Sequence, residues 1–461
     1  MVSRRQGLVF ALICILAIVW PIPHTIAFRN VLMGALMVTL WGGTDWEAAR
    51  RFAQEAARTP ILLFGLFTAW ILVVAFFISP FPRWSLSEIE GQWFMGTGAL
   101  LIGALTALQK DPGIPSLAIK AAIAALVIQT IAVDAQGLWV VGSSNSWLHM
   151  ARLGGITAGP GKMSYLTNFL LSALVAKWSL AIEGYGEGRA RLWQLRVVLV
   201  LSGLSIYFEA MRNEIFDIIV FVLFIAVIIF RTQIARAPRR AALAVGGMGL
   251  LIAAAAGTDL MLDPRWQTLW ATIPVALDTS HHLAWLNAQQ FSLPHLPDGH
   301  VVSASNYLRI AWIKEGIKAL IAHPLGVGYG RAAFGHALQL KFGSLSTDIG
   351  LNNSLLTIAI GAGIPGAALW VGWLATVARF SATRLSGAGA FAARFLFLIV
   401  VAFAVRMAVD NDMQNYTLEQ FLFFVGLLMP LAASRATDRA AQYSFSREAP
   451  VGVTQAPREP R

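Results

Sequence analysis

The sequence predicts an all-α protein, a polytopic membrane helical bundle of about twelve transmembrane helices with one long helical loop held outside the cytoplasm. Three observations predict it. The composition is too apolar for a water-facing surface, apolar segments of spanning length recur, and the basic residues alternate from loop to loop.

Hydrophobic residues make up 57% of the 461, charged residues 13%, and the mean hydropathy is +0.64. A soluble chain carries about 25% charged residues, so this one lacks the polar surface to cover itself in water. Within lipid each backbone group must be bonded inside its own segment, and no period-2 strands are present, so the apolar segments are helices. The spans fall at approximately 7–27, 30–43, 60–80, 92–109, 114–134, 163–183, 194–210, 214–230, 241–258, 353–377, 389–409 and 417–433. Arg4 and Arg5 precede an apolar run from Leu8, and an uncleaved first helix fits better than a signal peptide.

The formal charge of +11 raises a nucleic-acid partner, but the basic residues are not gathered on one soluble module. They lie between spans, which points to orientation. Alternate loops carry Arg4/Arg5, then Arg50, Arg51 and Arg58, Lys110, Arg189/Arg191, Arg231 to Arg240, Arg379/Arg384 and Arg435 to Arg447. The intervening loops hold mostly single cations: Arg29, Arg83, Arg152, Arg212 and Arg406. Both termini are therefore expected in the cytoplasm. Cys14 is the sole cysteine, so neither an internal disulfide nor a thiolate metal cluster can form.

This divides the chain into helices one to nine (1–258), a long outer loop (259–352), helices ten to twelve (353–433) and a polar, disordered cytoplasmic tail (434–461). A shorter outer loop, about 135–162, is Gly/Ser-rich, with Trp139 and Trp147 as interface anchors. In the long loop, Asn306 to Ala322 reads as an amphipathic helix that can lie along the membrane surface. Ile310, Ile313, Ile317 and Leu320 form its stripe, Ser305 is its expected N-cap, and Pro324 stops it and keeps His323 extended.

Several residues could carry chemistry. Arg212 occupies a short outer turn, where a snorkelling anchor and a bidentate anion clamp are both open. Arg309 opens the loop helix, on the wrong end for the helix dipole, so it is either a solvated face residue or kept for a partner. Pro324 to Gly330 places Gly326, Gly328 and Gly330 at spacing two; the turn can aim backbone amides at a ligand or simply pack tightly. Asn352 and Asn353 stand at the outer mouth of the tenth span, where helix capping is the plain account, and Gly363 and Gly366 lie inside that span. Glu209, Glu214 and Asp217 flank Arg212, while Asp410 and Asp412 follow Arg406; structural pairing with Arg212 or Arg406 is the simpler account of all five.

In this order the pieces resemble the O-antigen ligase and polymerase superfamily. The match consists of Arg212 in a short outer turn, Arg309 to Trp312 as Arg-x-x-Trp, Pro324 to Gly330, and the Asn-rich mouth from Asn352 running to Gly366. It is strong over about 305–370 and otherwise a likeness of hydropathy profile. The resemblance implies a metal-independent GT-C-type membrane glycosyltransferase at the periplasmic face of the bacterial inner membrane. It implies an undecaprenyl-pyrophosphate-linked glycan as donor and lipid A-core (ligase) or a carrier-linked glycan (polymerase) as acceptor. Arg212 and Arg309 would bind the pyrophosphate and stabilise it as it leaves; Trp312, the three glycines and Asn353 would complete the substrate site.

One position departs from the pattern. Where the ligases carry a histidine thought to act on the acceptor hydroxyl, this chain has Asn352, which takes no proton at neutral pH. A missing general base lowers rate by about 10²–10⁴-fold. His336, Asp348 or His323 could stand in, or the chain could be a polymerase or divergent relative in which leaving-group stabilisation dominates, or it could be inactive. A twelve-helix transporter and a non-catalytic polysaccharide-export component are the rival classes. The loop after span nine does not divide the chain into the two six-span halves common among transporters.

Overall fold

The computed structural model describes residues 3–144, 152–157, 159–184, 192–233, isolated positions between 238 and 266, 268–343, 351–413 and 415–434. Among these the protein is all-helical, with no strand beyond two isolated bridges, Thr44 with Gln109 and His295 with Val301. The expected span at 241–258 and the tail beyond Ser434 lie largely outside the described residues, as do Trp147, Asp348 and several of the loop arginines.

Helices α1 (Arg4–Val19), α2 (Ile26–Trp41) and α3 (Trp46–Arg51) open the chain, followed by α4 (Arg58–Val73) and α5 (Pro82–Glu88). Next come α6 (Met95–Ala107), α7 (Gly113–Ser144), α8 (Pro160–Ile182), α9 (Leu192–Glu209) and α10 (Glu214–Gln233). The loop contributes α11 (Leu269–Leu277), α12 (Ala304–Ala322) and α13 (Ala333–Phe342), and the chain closes on α14 (Ser354–Ala382), α15 (Ala390–Arg406) and α16 (Asn415–Ala433). Six helical stretches among the described residues are long and apolar enough to cross a membrane: Arg58–Ile78, Gly113–Ser144, Pro160–Ile182, Glu214–Thr232, Ser354–Ala382 and Tyr416–Ala433. Ile26–Trp41 is apolar but shorter. This is the architecture of a helical membrane protein.

Several boundaries differ from the sequence reading, each for a local reason. The first helix ends at Val19 rather than near residue 27, because Pro21 and Pro23 interrupt it. Arg29, expected in the following loop, instead lies inside α2, 5% exposed and 3.7 Å from the Glu419 carboxylate. The fifth span runs on to Ser144, so residues 135–144 are helix rather than loop. Asp134, where the expected span ended, is buried inside the helix, and its carboxylate accepts a hydrogen bond from Ser205 at 2.7 Å.

The bundle core draws buried residues from α1, α2, α4, α6, α7, α8, α10, α14, α15 and α16. Helices α6 and α16 touch backbone to backbone. A Cβ on Gly103 would stand 2.2 Å from the Phe423 carbonyl oxygen, and one on Gly426 would stand 2.0 Å from that of Leu100. Small residues are what permit such an approach where lipid supplies no hydrophobic drive between helices. The loop has its own hydrophobic cluster, with Trp285, Leu286, Tyr307, Ala311, Phe334 and Leu338 at its centre.

Helix α14 is broken at Gly363, whose φ of 72° and ψ of 177° no other residue adopts without strain. Pro365 follows, so the Gly361 carbonyl has no N–H to accept from within the helix. The turn after α12 supplies what is missing. Val327 N–H donates to the Ile360 oxygen (3.0 Å), Gly328 N–H to the Gly361 oxygen (2.9 Å), and Ile364 N–H to the Pro324 oxygen (2.9 Å). The indole of Trp70 donates to the Ala362 oxygen at 2.6 Å. The loop and the bundle are thereby joined through main-chain hydrogen bonds.

Candidate functional site

Helix α12 begins at Ala304 with Ser303 as its N-cap, not Ser305 as the sequence suggested. Asn306, Tyr307, Ala311, Glu315 and Gly316, at spacings near four, form its buried face. The expected stripe divides: Ile310 and Leu320 pack toward the loop cluster, whereas Ile313 and Ile317 are exposed, continued by Ile321. Two faces are therefore apolar, one covered by protein and one not.

Arg309 and Trp312 project between those faces. With Ile313, Leu351, Asn352, Asn353, Ala408 and Val409 they line a cleft of about 100 Å³. The structure thus brings four of the sequence-predicted residues together, Arg309, Trp312, Asn352 and Asn353, although the chain between the two pairs passes through α13. The Trp312 indole is fixed by donating to the Trp285 carbonyl at 2.8 Å. Asn353 caps α14, its Oδ1 accepting from Leu356 N–H at 2.8 Å, while its Nδ2 donates to the Ala408 carbonyl at 2.8 Å. Ser354 Oγ donates to the Asp410 carbonyl (2.9 Å) and accepts from Asp412 N–H (2.7 Å), tying the mouth to the α15–α16 connection. Asn352 is exposed in the cleft. Among the described residues that line it, Arg309 is the one ionisable side chain.

Arg212 does not line the cleft. Ala210, with φ of 48°, opens its turn in the left-handed region, a conformation costing a non-glycine residue about 1–2 kcal/mol. From there Arg212 Nη1 donates to Asn306 Oδ1 at 3.2 Å and Nη2 lies 3.5 Å from Ser305 Oγ; the guanidinium stands 5.2 Å from the Trp266 ring. It therefore holds the first turn of α12, one turn before Arg309.

Of the five carboxylates offered for structural pairing, Asp217, Asp410 and Asp412 gather on Arg406. That arginine is 1% exposed and lies 3.2 Å from Asp412, 3.4 Å from Asp410 and 3.5 Å from Asp217, with Ser164 Oγ accepting from it at 2.9 Å. Asn213 Nδ2 donates to Asp410 Oδ2 at 2.9 Å, so the Arg212 turn is bound to the same centre. Glu209 accepts from Thr167 at 2.7 Å, and Asp217 accepts from Asn168. Burying that many charges is costly unless they are paired, and the pairing here fixes the end of the bundle on which the cleft rests.

Gly326, Gly328 and Gly330 have φ of 99°, 125° and 155°, and a Cβ on any of them would come within 2.6 Å of a neighbour. Packing against α5 and the broken helix accounts for all three; they stand outside the cleft, and the amides of Val327 and Gly328 are engaged by α14. His336 is also outside it, its ring 4.5 Å from that of Phe81 and 4.0 Å from that of Trp84. His323 caps the C-terminus of α12, with φ of −129° and ψ of 65°. None of the described stand-ins for the family histidine lines the cleft.

Sequence reasoning missed Ala408, Val409, Leu351 and the face of Ile313 as cleft residues. The nearest signal was Arg406 with Asp410 and Asp412, which marks where α15 turns toward the mouth. Two loop groups are electrostatically displaced. Burial pushes the Tyr307 phenol up to about 12, and hydrogen bonds, chiefly to His281 Nδ1 at 2.8 Å, hold the Asp278 carboxylate down at about 2.

Fold and site together define a helical membrane protein with an arginine-bearing cleft where its folded loop meets the bundle. Neither a known protein family nor a curated protein matches this chain.

Proposed function

We propose that the chain is an O-antigen ligase-like membrane glycosyltransferase acting on an undecaprenyl-pyrophosphate-linked glycan at the periplasmic face of the inner membrane. The observation that carries this reading is the convergence of Arg309, Trp312, Asn352 and Asn353 on one cleft. Twelve spans with both termini cytoplasmic, inferred from the alternation of basic loops, would put that cleft on the outer side. The exposed Ile313 and Ile317 beside it suit a substrate that stays in the bilayer.

In this reading the acceptor hydroxyl attacks the anomeric carbon as the bond to pyrophosphate breaks, and the bonding electrons leave with the phosphate oxygen. Arg309 stabilises the charge that builds there, an effect for which one preorganised donor is worth about 10²–10³-fold in rate. Arg212 acts through Asn306 and Ser305, aiming the helix that bears Arg309. Trp312 offers an apolar face for a sugar ring, and Asn352 and Asn353 shape the entrance. Among the described residues no histidine or carboxylate lines the cleft, and in this reading the departing pyrophosphate itself takes the hydroxyl proton. That balance favours a polymerase or divergent ligase over a histidine-dependent one.

The test is genetic and chemical. Deletion should accumulate carrier-linked glycan, with restoration by the wild type and not by Arg309→Ala; full rescue by both Arg212→Ala and Arg309→Ala would overturn the reading. Lipid A-core bare of all chains would indicate a ligase, and single repeats still attached a polymerase. A second reading, an ion-coupled transporter, draws on the buried Glu209, Glu214 and Asp217 beside Arg406. It predicts solute flux that survives Arg309→Ala.

A further inference from the structure

A second polar centre lies at the same end of the bundle, away from the cleft, where α2, α8 and α16 all begin. Arg29 is in the first turns of α2, Lys162 in the first turn of α8, and Tyr416, Glu419 and Gln420 in the first turns of α16. Cations at helix N-termini oppose the macrodipole, so helix stability does not explain two of them here. The Arg29 guanidinium and the Lys162 ammonium each stand 5.9 Å from the centroid of the Tyr416 ring.

Pairing within the protein leaves this centre incomplete. Glu419 receives the Trp20 indole N–H at 2.6 Å and lies 3.7 Å from Arg29 Nη1, which itself donates to the Trp20 carbonyl at 3.2 Å. Asp412 is nearby, but Arg406 holds it at 3.2 Å. Among the described residues, three buried polar atoms here have no hydrogen-bond partner: Arg29 Nε, Tyr416 Oη and Gln420 Oε1. Their residues are 5%, 8% and 3% exposed. Tyr416 and Gln420 are four residues apart and so share a face of α16. Leaving such groups unsatisfied costs about 1–3 kcal/mol each, and more for a charged one. Lys162 is half-buried and marks the way in.

The unmet groups are specific in kind. An N–H on a cation, a phenol and an ammonium call for anionic oxygens, and an amide oxygen calls for a donor such as a hydroxyl. We infer that Arg29, Lys162, Tyr416 and Gln420 form a binding site for a hydroxyl-bearing phosphate, such as the glycerol phosphate of a lipid headgroup. The phosphate oxygens would accept from Arg29 Nε, Tyr416 Oη and Lys162 Nζ, and a hydroxyl would donate to Gln420 Oε1. The same chemistry is met by phosphatidylglycerol in the bilayer and by free glycerol phosphate.

Native mass spectrometry and thermal melting distinguish the sources. The full chain is reconstituted in nanodiscs of phosphatidylcholine with and without phosphatidylglycerol, and in phosphatidylcholine alone with added glycerol 3-phosphate. One retained phosphatidylglycerol per chain assigns the site to a lipid headgroup; a melting temperature raised only by glycerol 3-phosphate assigns it to a free phosphate. In either case Tyr416→Phe and Lys162→Gln, checked for an unchanged melt in phosphatidylcholine, should weaken binding by roughly tenfold or more, the loss of one hydrogen bond to a charged group. Retention no better for phosphatidylglycerol than for phosphatidylcholine with no response to glycerol 3-phosphate would overturn the inference, as would undiminished binding by both variants.

Discussion

Arg212 donates through Nη1 to Oδ1 of Asn306, 3.2 Å away and 94 residues distant in sequence. A side chain in a short turn between two spans thereby fixes the helix that presents Arg309 to the cleft. Arg212→Lys keeps the charge but loses the two-pronged grip on Asn306 and Ser305. It should lower glycan transfer several-fold while Asn306→Ala in the same background adds little further loss. Additive losses in that double-mutant cycle, read as carrier-linked glycan, would show that the two residues act independently.

Arg309 is expected to act on the leaving group itself. Arg309→Ala should reduce turnover by about 10²–10³-fold with little change in thermal stability. An unchanged rate in a purified transfer assay would remove it from the reaction.

Gly326 and Gly299 separate packing from backbone strain. Both have positive φ, 99° and 86°, but a Cβ on Gly326 meets the Gly361 carbonyl oxygen at 2.4 Å, whereas nothing lies within 4 Å of one on Gly299. Gly299→Ala should cost about 1–2 kcal/mol, and Gly326→Ala clearly more. Equal melting temperatures for the two variants would refute the close approach.

Arg406 holds three aspartates at once. Arg406→Met should destabilise by about 3–5 kcal/mol, since it leaves buried charge uncompensated. Adding Asp217→Asn and Asp412→Asn should recover part of that loss, and a further drop would contradict the pairing.

Tyr307 supplies a pH test. Its phenol is pushed up to about 12 by burial and is ordinarily near 10, so the folded state resists ionisation. The stability this provides is complete below pH ~10 and is lost as pH rises through ~12. The alkaline fall in melting temperature between those values should be shallower in Tyr307→Phe than in the wild type. An identical slope would refute the shift.

Much of the helical plan is legible in the sequence because hydropathy is a sum over many residues and survives local error. The errors lie where a single polar residue was given its usual surface meaning. Arg29 was read as a loop cation and the fifth span was ended at residue 134, yet Arg29 and Asp134 are buried against Glu419 and Ser205, partners that only the fold brings near. The stripe on α12 was visible, but its phase was not, because one of its two apolar faces packs on the loop cluster and the other is left exposed. Arg309, Trp312, Asn352 and Asn353 stood out by residue type and order. Ala408 and Val409 could not, since an alanine and a valine at a helix end carry no chemical signature until the cleft is seen.

The break at Gly363 has a consequence for how the molecule can come apart. The carbonyls of Ile360 and Gly361 are satisfied only while Val327 and Gly328 remain in place. Excising the loop, or grafting it onto another bundle, would strip those carbonyls inside the protein where water does not reach. Loop and bundle should therefore unfold in one cooperative step, and proteolysis within the loop should release the spans rather than a soluble fragment. The turn that looked like a place for a ligand is the seam along which the molecule would tear.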